Sequence, residues 1–145
     1  MSNSLIKKIP ITGEMGFEIL TLEHDRCELF APLPPNHNHK NTAFGGSLYS
    51  IAVLTPWTWL DHQKQKHQWN GDIVIGWSEM KFIRPVEEDF KTKLLTPNPE
   101  AFTRFSSAFK TRAKAKLRLE SQVYSNEILC ASFIGDFVLV GKTDS

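Results

Sequence analysis

The residues best suited to chemistry lie together in one stretch, Asn36-His37-Asn38-His39-Lys40-Asn41-Thr42-Ala43-Phe44-Gly45-Gly46-Ser47-Leu48. Adjacent glycines, where a polar loop runs into an apolar periodic segment, allow another molecule to approach the backbone closely. The first amides of a helix have no intrahelical partner, and the helix dipole favours negative charge there. A carbonyl held at Gly45 and Gly46 would be polarised, and an oxyanion formed from it stabilised. Asn38 and Asn41 stand where they could orient that carbonyl or a water. A plainer account assigns Gly to tight packing and Asn to turns; on composition alone it is the stronger, because Gly-Gly is a weak signal. His37 and His39 invite a metal, yet no Cys, Asp or third His stands nearby at ligand spacing, so no metal site is expected. His62 and His67 read as surface, and Tyr49 and Trp57 as core. Neither a Ser/His/Asp nucleophile pattern nor a phosphate-cradling Gly pattern occurs.

The elements that must position this stretch follow from periodicity. Residues 16–24 and 26–32 alternate as two short strands, with His24-Asp25-Arg26 as the turn. After the Pro/Asn/His loop, a helix is expected from about Gly45 to Lys66. Its apolar residues Leu48, Ile51, Ala52, Val53, Leu54, Trp57, Trp59 and Leu60 cover most of the circumference, the mark of a helix buried on nearly every side. Its polar last turn from Asp61 should project into solvent. Pro56 removes a backbone donor and predicts a kink or break. From Asp72 the period becomes two, with Ile75, Trp77 and Glu79 on one face and Ser78, Met80 and Phe82 on the other. A strand at 90–96 follows. Asn98-Pro99 then starts a short helix with Phe102, Phe105 and Phe109 on one face. Strands at 113–124 and 128–140 close the chain, with Gly135 as a candidate bulge. A helix buried on almost all sides in a mostly antiparallel protein must be wrapped by the sheet.

Composition narrows the partners. At 145 residues the chain is expected to be one domain, 1–145. Its net charge of +1 is too small to make nucleic acid the main partner. The basic run Lys110 to Arg118 reads as a solvated strand face. Cys27 and Cys130 read as buried free thiols. No apolar signal segment and no membrane-length apolar stretch occurs, so a cytoplasmic location is expected.

The segment Asn38-x-x-x-Thr42-x-Phe44-Gly45-Gly46, opening a buried helix, resembles the hotdog-fold thioesterases of the phenylacetate and acyl-CoA type. With TAFGGSLYSIAVL it is especially similar to the thioesterase domain found fused to an acetyltransferase in some bacteria. Phe82-Ile83-Arg84-Pro85-Val86 resembles the end of that family's third strand. The resemblance implies an α+β hotdog fold, an antiparallel β-sheet wrapped around one long central helix. It implies hydrolysis of an acyl-CoA or acyl-carrier-protein thioester, with coenzyme A or phosphopantetheine as part of the substrate and no separate cofactor. It also implies a homodimer or a dimer of dimers. By position, Gly45 matches the oxyanion-hole amide and Asn38 the polar residue that places the thioester or water; Gly46, Asn41, Phe44 and Ser47 complete the substrate end. Arg84, Lys110, Arg112 and Lys114 are candidates to meet pantetheine phosphates.

Two positions depart from the pattern. Phe44 stands where many relatives have His, and Val53 where many have the catalytic Asp. Without that carboxylate the usual general base is missing. Asp61, further along the helix, and Glu79, on an apolar-facing strand register, are the candidate replacements. The same loss motivates a second reading, a non-catalytic acyl-thioester-binding dimer. A hotdog dehydratase or hydratase is a third, although it wants a His and a carboxylate at the helix start.

Overall fold

The structure, a computed structural model, describes residues 2–142. From the N-terminus the chain forms α1 (Ser2–Lys8), α2 (Ile11–Met15), β1 (Glu18–Leu22), β2 (Cys27–Ala31) and a 3-10 turn at Pro34–Asn36. It continues through α3 (Gly45–Lys66), β3 (Gly71–Phe82), β4 (Phe90–Leu94), α4 (Pro99–Arg112), β5 (Lys114–Ser125) and β6 (Ile128–Gly141). Apart from α1, α2 and the 3-10 turn, these match the expected elements. Nothing in the periodicity predicts α1 and α2. They are 7 and 5 residues long, too short to show a repeating face, and tertiary contact rather than propensity holds them.

The strands form a six-stranded antiparallel sheet in the order β1-β2-β4-β5-β6-β3. In β5 the odd residues Ala115 to Ser125 are buried, while Lys114, Lys116, Arg118 and Glu120 are exposed. The odd face therefore lines the core, and α3 packs across it through Leu48, Ile51, Ala52, Thr55 and Trp59. The sheet curls around this helix, giving the expected hotdog arrangement. Over the helix's far end, α4 adds an aromatic lid: Asn98 caps it by accepting from Ala101 N at 3.0 Å, and Phe102, Phe105 and Phe109 meet Trp69. Such ring pairs each contribute beyond their buried area. Cys27 and Cys130 are buried and free. None of the described helices is long and apolar enough to cross a membrane.

Of the kink or break expected at Pro56, the break does not occur: α3 is one helix from Gly45 to Lys66. The helix runs on through it because the carbonyl that it leaves without an amide partner, Ala52 O, accepts the Ser121 hydroxyl at 2.6 Å. The helix end also differs from expectation. Asp61 and Gln63 are buried rather than solvated, and α1 accounts for Asp61, whose Oδ2 Lys8 Nζ meets at 2.6 Å.

Gly135 is not a bulge, pairing in register with Ser78 and Leu119, whereas β3 carries one. Ile75 pairs with Phe137 and Trp77 with Asp136, so Gly76 is the extra residue. A bulge shifts every later side chain to the other face. Ile73 and Ile75 face α3, but beyond the bulge Ser78, Met80 and Phe82 do so, leaving Trp77 and Glu79 on the outer surface. There the Arg118 guanidinium lies 4.9 Å from the Trp77 ring and pairs with Asp136 at 2.8 and 3.1 Å.

Candidate active site at the start of the long helix

Gly45 and Gly46 open α3 as the sequence predicts. Phe44 is the N-cap, in extended conformation and without a side-chain capping bond. Ser47 N and Leu48 N donate back to Phe44 O at 2.9 and 3.1 Å. The Gly45 and Gly46 amides have no acceptor among the described residues. This leaves a pair of backbone donors at the positive end of a 22-residue helix, the arrangement that binds a carbonyl or oxyanion.

Backbone bonds hold the junction on both sides. Phe44 N donates to Asn36 O and Ala43 N to Val86 O, each at 2.7 Å. Asn36, which sequence reasoning passed over, is 2% exposed and donates its amide to Met15 O and Pro32 O at 2.8 and 2.7 Å. It ties the loop to α2 and β2. Its signal in the sequence was weak, because one more Asn in an Asn-rich loop has nothing to mark it.

Asn38 is spent on the loop itself. Its Oδ1 accepts from Lys40 N and Thr42 N at 2.8 and 3.2 Å, and its Nδ2 donates to Thr42 Oγ1 at 2.9 Å. Within the chain its side chain builds a turn. Asn41, at φ 61, completes that turn and is exposed. Ser47 is buried at 5% exposure and turns into the core.

Aromatic rings frame the amides. Phe44 and Phe82 are 58% and 57% exposed, with Ile83 beside them at 49%. A Cβ on Gly46 would run into the Phe44 ring, and one on Gly45 would lie 3.7 Å from the Phe82 ring. Gly46 is therefore required by the present place of the Phe44 ring, whereas Gly45 has room. One turn along, the Tyr49 hydroxyl hydrogen-bonds to Ser78 Oγ on β3. Tyr49 was read as core, and the pairing with Ser78 depends on the Gly76 bulge, so it has no trace in the sequence.

Neither proposed replacement for the missing carboxylate reaches this end. Glu79 is exposed on the outer sheet face, because the bulge reverses its expected register. Asp61 lies 16 residues along α3 from Gly45, about 24 Å at the helical rise, and is engaged by Lys8 and by Gln65 at 2.9 Å. Val53 is half-buried on the helix. Arg84 is exposed just after β3, near the amide end. Lys110, Arg112 and Lys114 sit at the other end of the sheet: Lys114 pairs with Val140, whereas Phe82 pairs with Ala131, nine residues away on β6 or roughly 30 Å. One chain therefore does not bring these four cations together. Among the described residues no three of His, Cys, Asp and Glu gather to hold a metal.

An antiparallel sheet around one buried helix, with open amides at the helix start, defines the hotdog class. The family model described as "Putative thioesterase (yiiD_Cterm)" matches residues 1–141, and the chain belongs to that family. Its class of activity is thioester hydrolysis. Among solved structures, a protein of unknown function from Chlorobaculum tepidum TLS is 30% identical, covering 96% of this chain and 91% of its own, with a TM-score of 0.90. A "putative thioesterase" from Shewanella oneidensis is 31% identical over 95% of this chain and 93% of its own, with a TM-score of 0.84. A mutant phenylacetic acid degradation protein from Thermus thermophilus, 19% identical over 90% of this chain and 98% of its own, shares the fold with a TM-score of 0.66.

Proposed function

We propose that the chain hydrolyses an acyl thioester of coenzyme A or of an acyl carrier protein, with the thioester carbonyl received by the Gly45 and Gly46 amides. The observation that carries this reading is the pair of unpartnered donors at the start of α3 in a thioesterase family. Water attacks the carbonyl carbon and the two amides hold the oxyanion; the C–S bond then breaks, one water proton going by way of solvent to the departing pantetheine sulfur and the acyl group leaving as the free acid. Phe44, Phe82 and Ile83 supply the apolar surround, and Arg84 is the cation placed to meet a phosphate at this end. Gly45→Pro tests the amide directly. Proline is suited to the first helical position, and Phe44 before it is already extended at ψ 134. The variant should fold normally yet hydrolyse acyl-CoA about a hundredfold more slowly in a thiol-release assay. Unchanged turnover would remove the amide from the mechanism.

A second reading has its own support. Neither candidate carboxylate stands at the amides, since Glu79 faces outward and Asp61 is remote and paired. A non-catalytic acyl-thioester binder needs the amides but no base. Acyl-CoA binding without release of thiol at any chain length would select it.

The site is read as dimeric. β3 is 12 residues long and has β6 as its neighbour on one side only. Val74, Ile75, Trp77, Phe82 and Ile83 are exposed along it. A long apolar edge strand is a template for pairing, and a second copy of the same strand satisfies it by two-fold symmetry.

A further inference from the structure

Over its first three turns α3 is buried on every side but one. Gly46, Tyr49, Ser50 and Val53 are half-buried and follow one another at helical spacing, so a single open stripe runs down the helix from the amides. On β3, Phe82 is exposed and Met80 and Ser78 are half-buried, and the Gly76 bulge turns all three toward α3. The Phe82 ring lies by Gly45 at the head of the stripe. Below it, the Tyr49 hydroxyl bonds to Ser78 Oγ, from helix to strand. Stripe and strand therefore face each other as two walls of a groove that starts at the amides, and this bond bridges it. Phe133, 2% exposed, meets the Tyr49 ring edge-on at 5.8 Å. The tip of the ring is held by Ser78 alone among the described residues.

We propose that the Tyr49–Ser78 bridge sets the acyl chain length, restricting the substrate to chains of about ten carbons or fewer. The inference rests on the reading that the Gly45 and Gly46 amides receive the thioester carbonyl. Tyr49 lies four residues from Gly45, about 6 Å along the helix. Ser78 lies four residues from Phe82, about 13 Å along the strand. The bridge crosses between those levels. An extended chain advances about 1.2 Å per bond, so it meets the bridge roughly five to ten carbons from the carbonyl. Up to that point methylenes are buried against Phe82 and Met80, and each tightens binding about three- to fourfold. At the bridge a tail meets two hydroxyls bonded to each other. To pass, it has to break that bond and leave both hydroxyls against hydrocarbon. Val53, one turn further down the stripe, offers apolar surface that a tail reaches only when the bridge is gone.

The test is calorimetric titration of the full chain with 2-oxoalkyl-CoA ketones from butyl to tetradecyl length, in which a methylene between sulfur and carbonyl blocks hydrolysis. Wild-type affinity should rise with length and level off at about ten carbons or fewer. In Tyr49→Ala it should go on rising, and the tetradecyl ligand should bind at least about tenfold more tightly than to wild type. Tyr49→Phe and Ser78→Ala each remove the bond and keep the ring. Each should extend the rise beyond the wild-type limit, and the double variant should extend it no further than either alone. Gly45→Pro, which probes the amide reading, should weaken every length alike and leave the limit in place. A wild-type affinity that climbs steadily to tetradecyl, or a Tyr49→Ala limit equal to that of wild type, overturns the proposal and leaves the amide reading standing. No binding at any length, or full binding in Gly45→Pro, overturns both.

Discussion

At Gly46, the glycine requirement comes from a neighbouring side chain and not from the backbone. The added Cβ of Gly46→Ala would meet the Phe44 ring, and that ring is more than half exposed, so it can swing aside. Thermal stability should change little, because the ring moves into solvent and Ala favours helix. Hydrolysis should fall about tenfold or more, because the ring that bounds the proposed oxyanion position has moved. Equal turnover in the variant would show that Phe44 has no part in the site. Asn38 and Cys27 illustrate side chains whose chemistry the fold has already used up. Asn38 is committed to its own turn. Burial, with help from Glu28, pushes the Cys27 thiol up to about 12, so it stays protonated and unreactive at neutral pH.

The long helix survives an internal proline through a contact made by a distant strand. Ser121→Ala removes the hydroxyl that satisfies Ala52 O and leaves a buried carbonyl without a partner, at a cost of about 1–3 kcal/mol. In a Pro56→Ala background the restored amide can take over that carbonyl. The same Ser121→Ala change should then cost much less, and chemical denaturation of the four proteins measures the coupling. Additive effects would mean that the hydroxyl does not compensate for the proline. The Gly76 bulge in β3 acts at the same scale: it turns Ser78 toward Tyr49 and sends Trp77 and Glu79 outward.

For the molecule as a whole, the outer face of the sheet bears on stability, and its free edge on the proposed dimer. Asp136 sits in a two-bond pair with Arg118, and that hydrogen bonding holds its carboxyl below the usual carboxylate range. A group with a lowered folded pKa adds stability that is complete above its unfolded value and is lost as pH falls through the folded one. Asp136→Asn should therefore lower the melting temperature by some degrees at neutral pH, and the gap to wild type should close in acid below the normal carboxylate range. A gap independent of pH would assign the loss to packing. Along the free edge, Ile75→Lys places a charge on an exposed apolar strand. It should convert a dimer to a monomer in size-exclusion chromatography with light scattering, and a wild-type monomer would refute the two-fold pairing.

The sequence by itself determined the helix from 45 to 66, the main strands, the Asn98 cap and the glycine pair at the helix start. Each of these rests on local periodicity or on a residue type with a short-range preference. It also placed Gly45 and Gly46 at the helix N-terminus, where unpaired amides follow from helix geometry alone. What only the tertiary structure decided depends on partners distant in the chain. Continuity through Pro56 needed Ser121, and burial of Asp61 needed α1. The outward turn of Glu79 needed one extra residue opposite β6, because a period of two carries no record of where a strand slips.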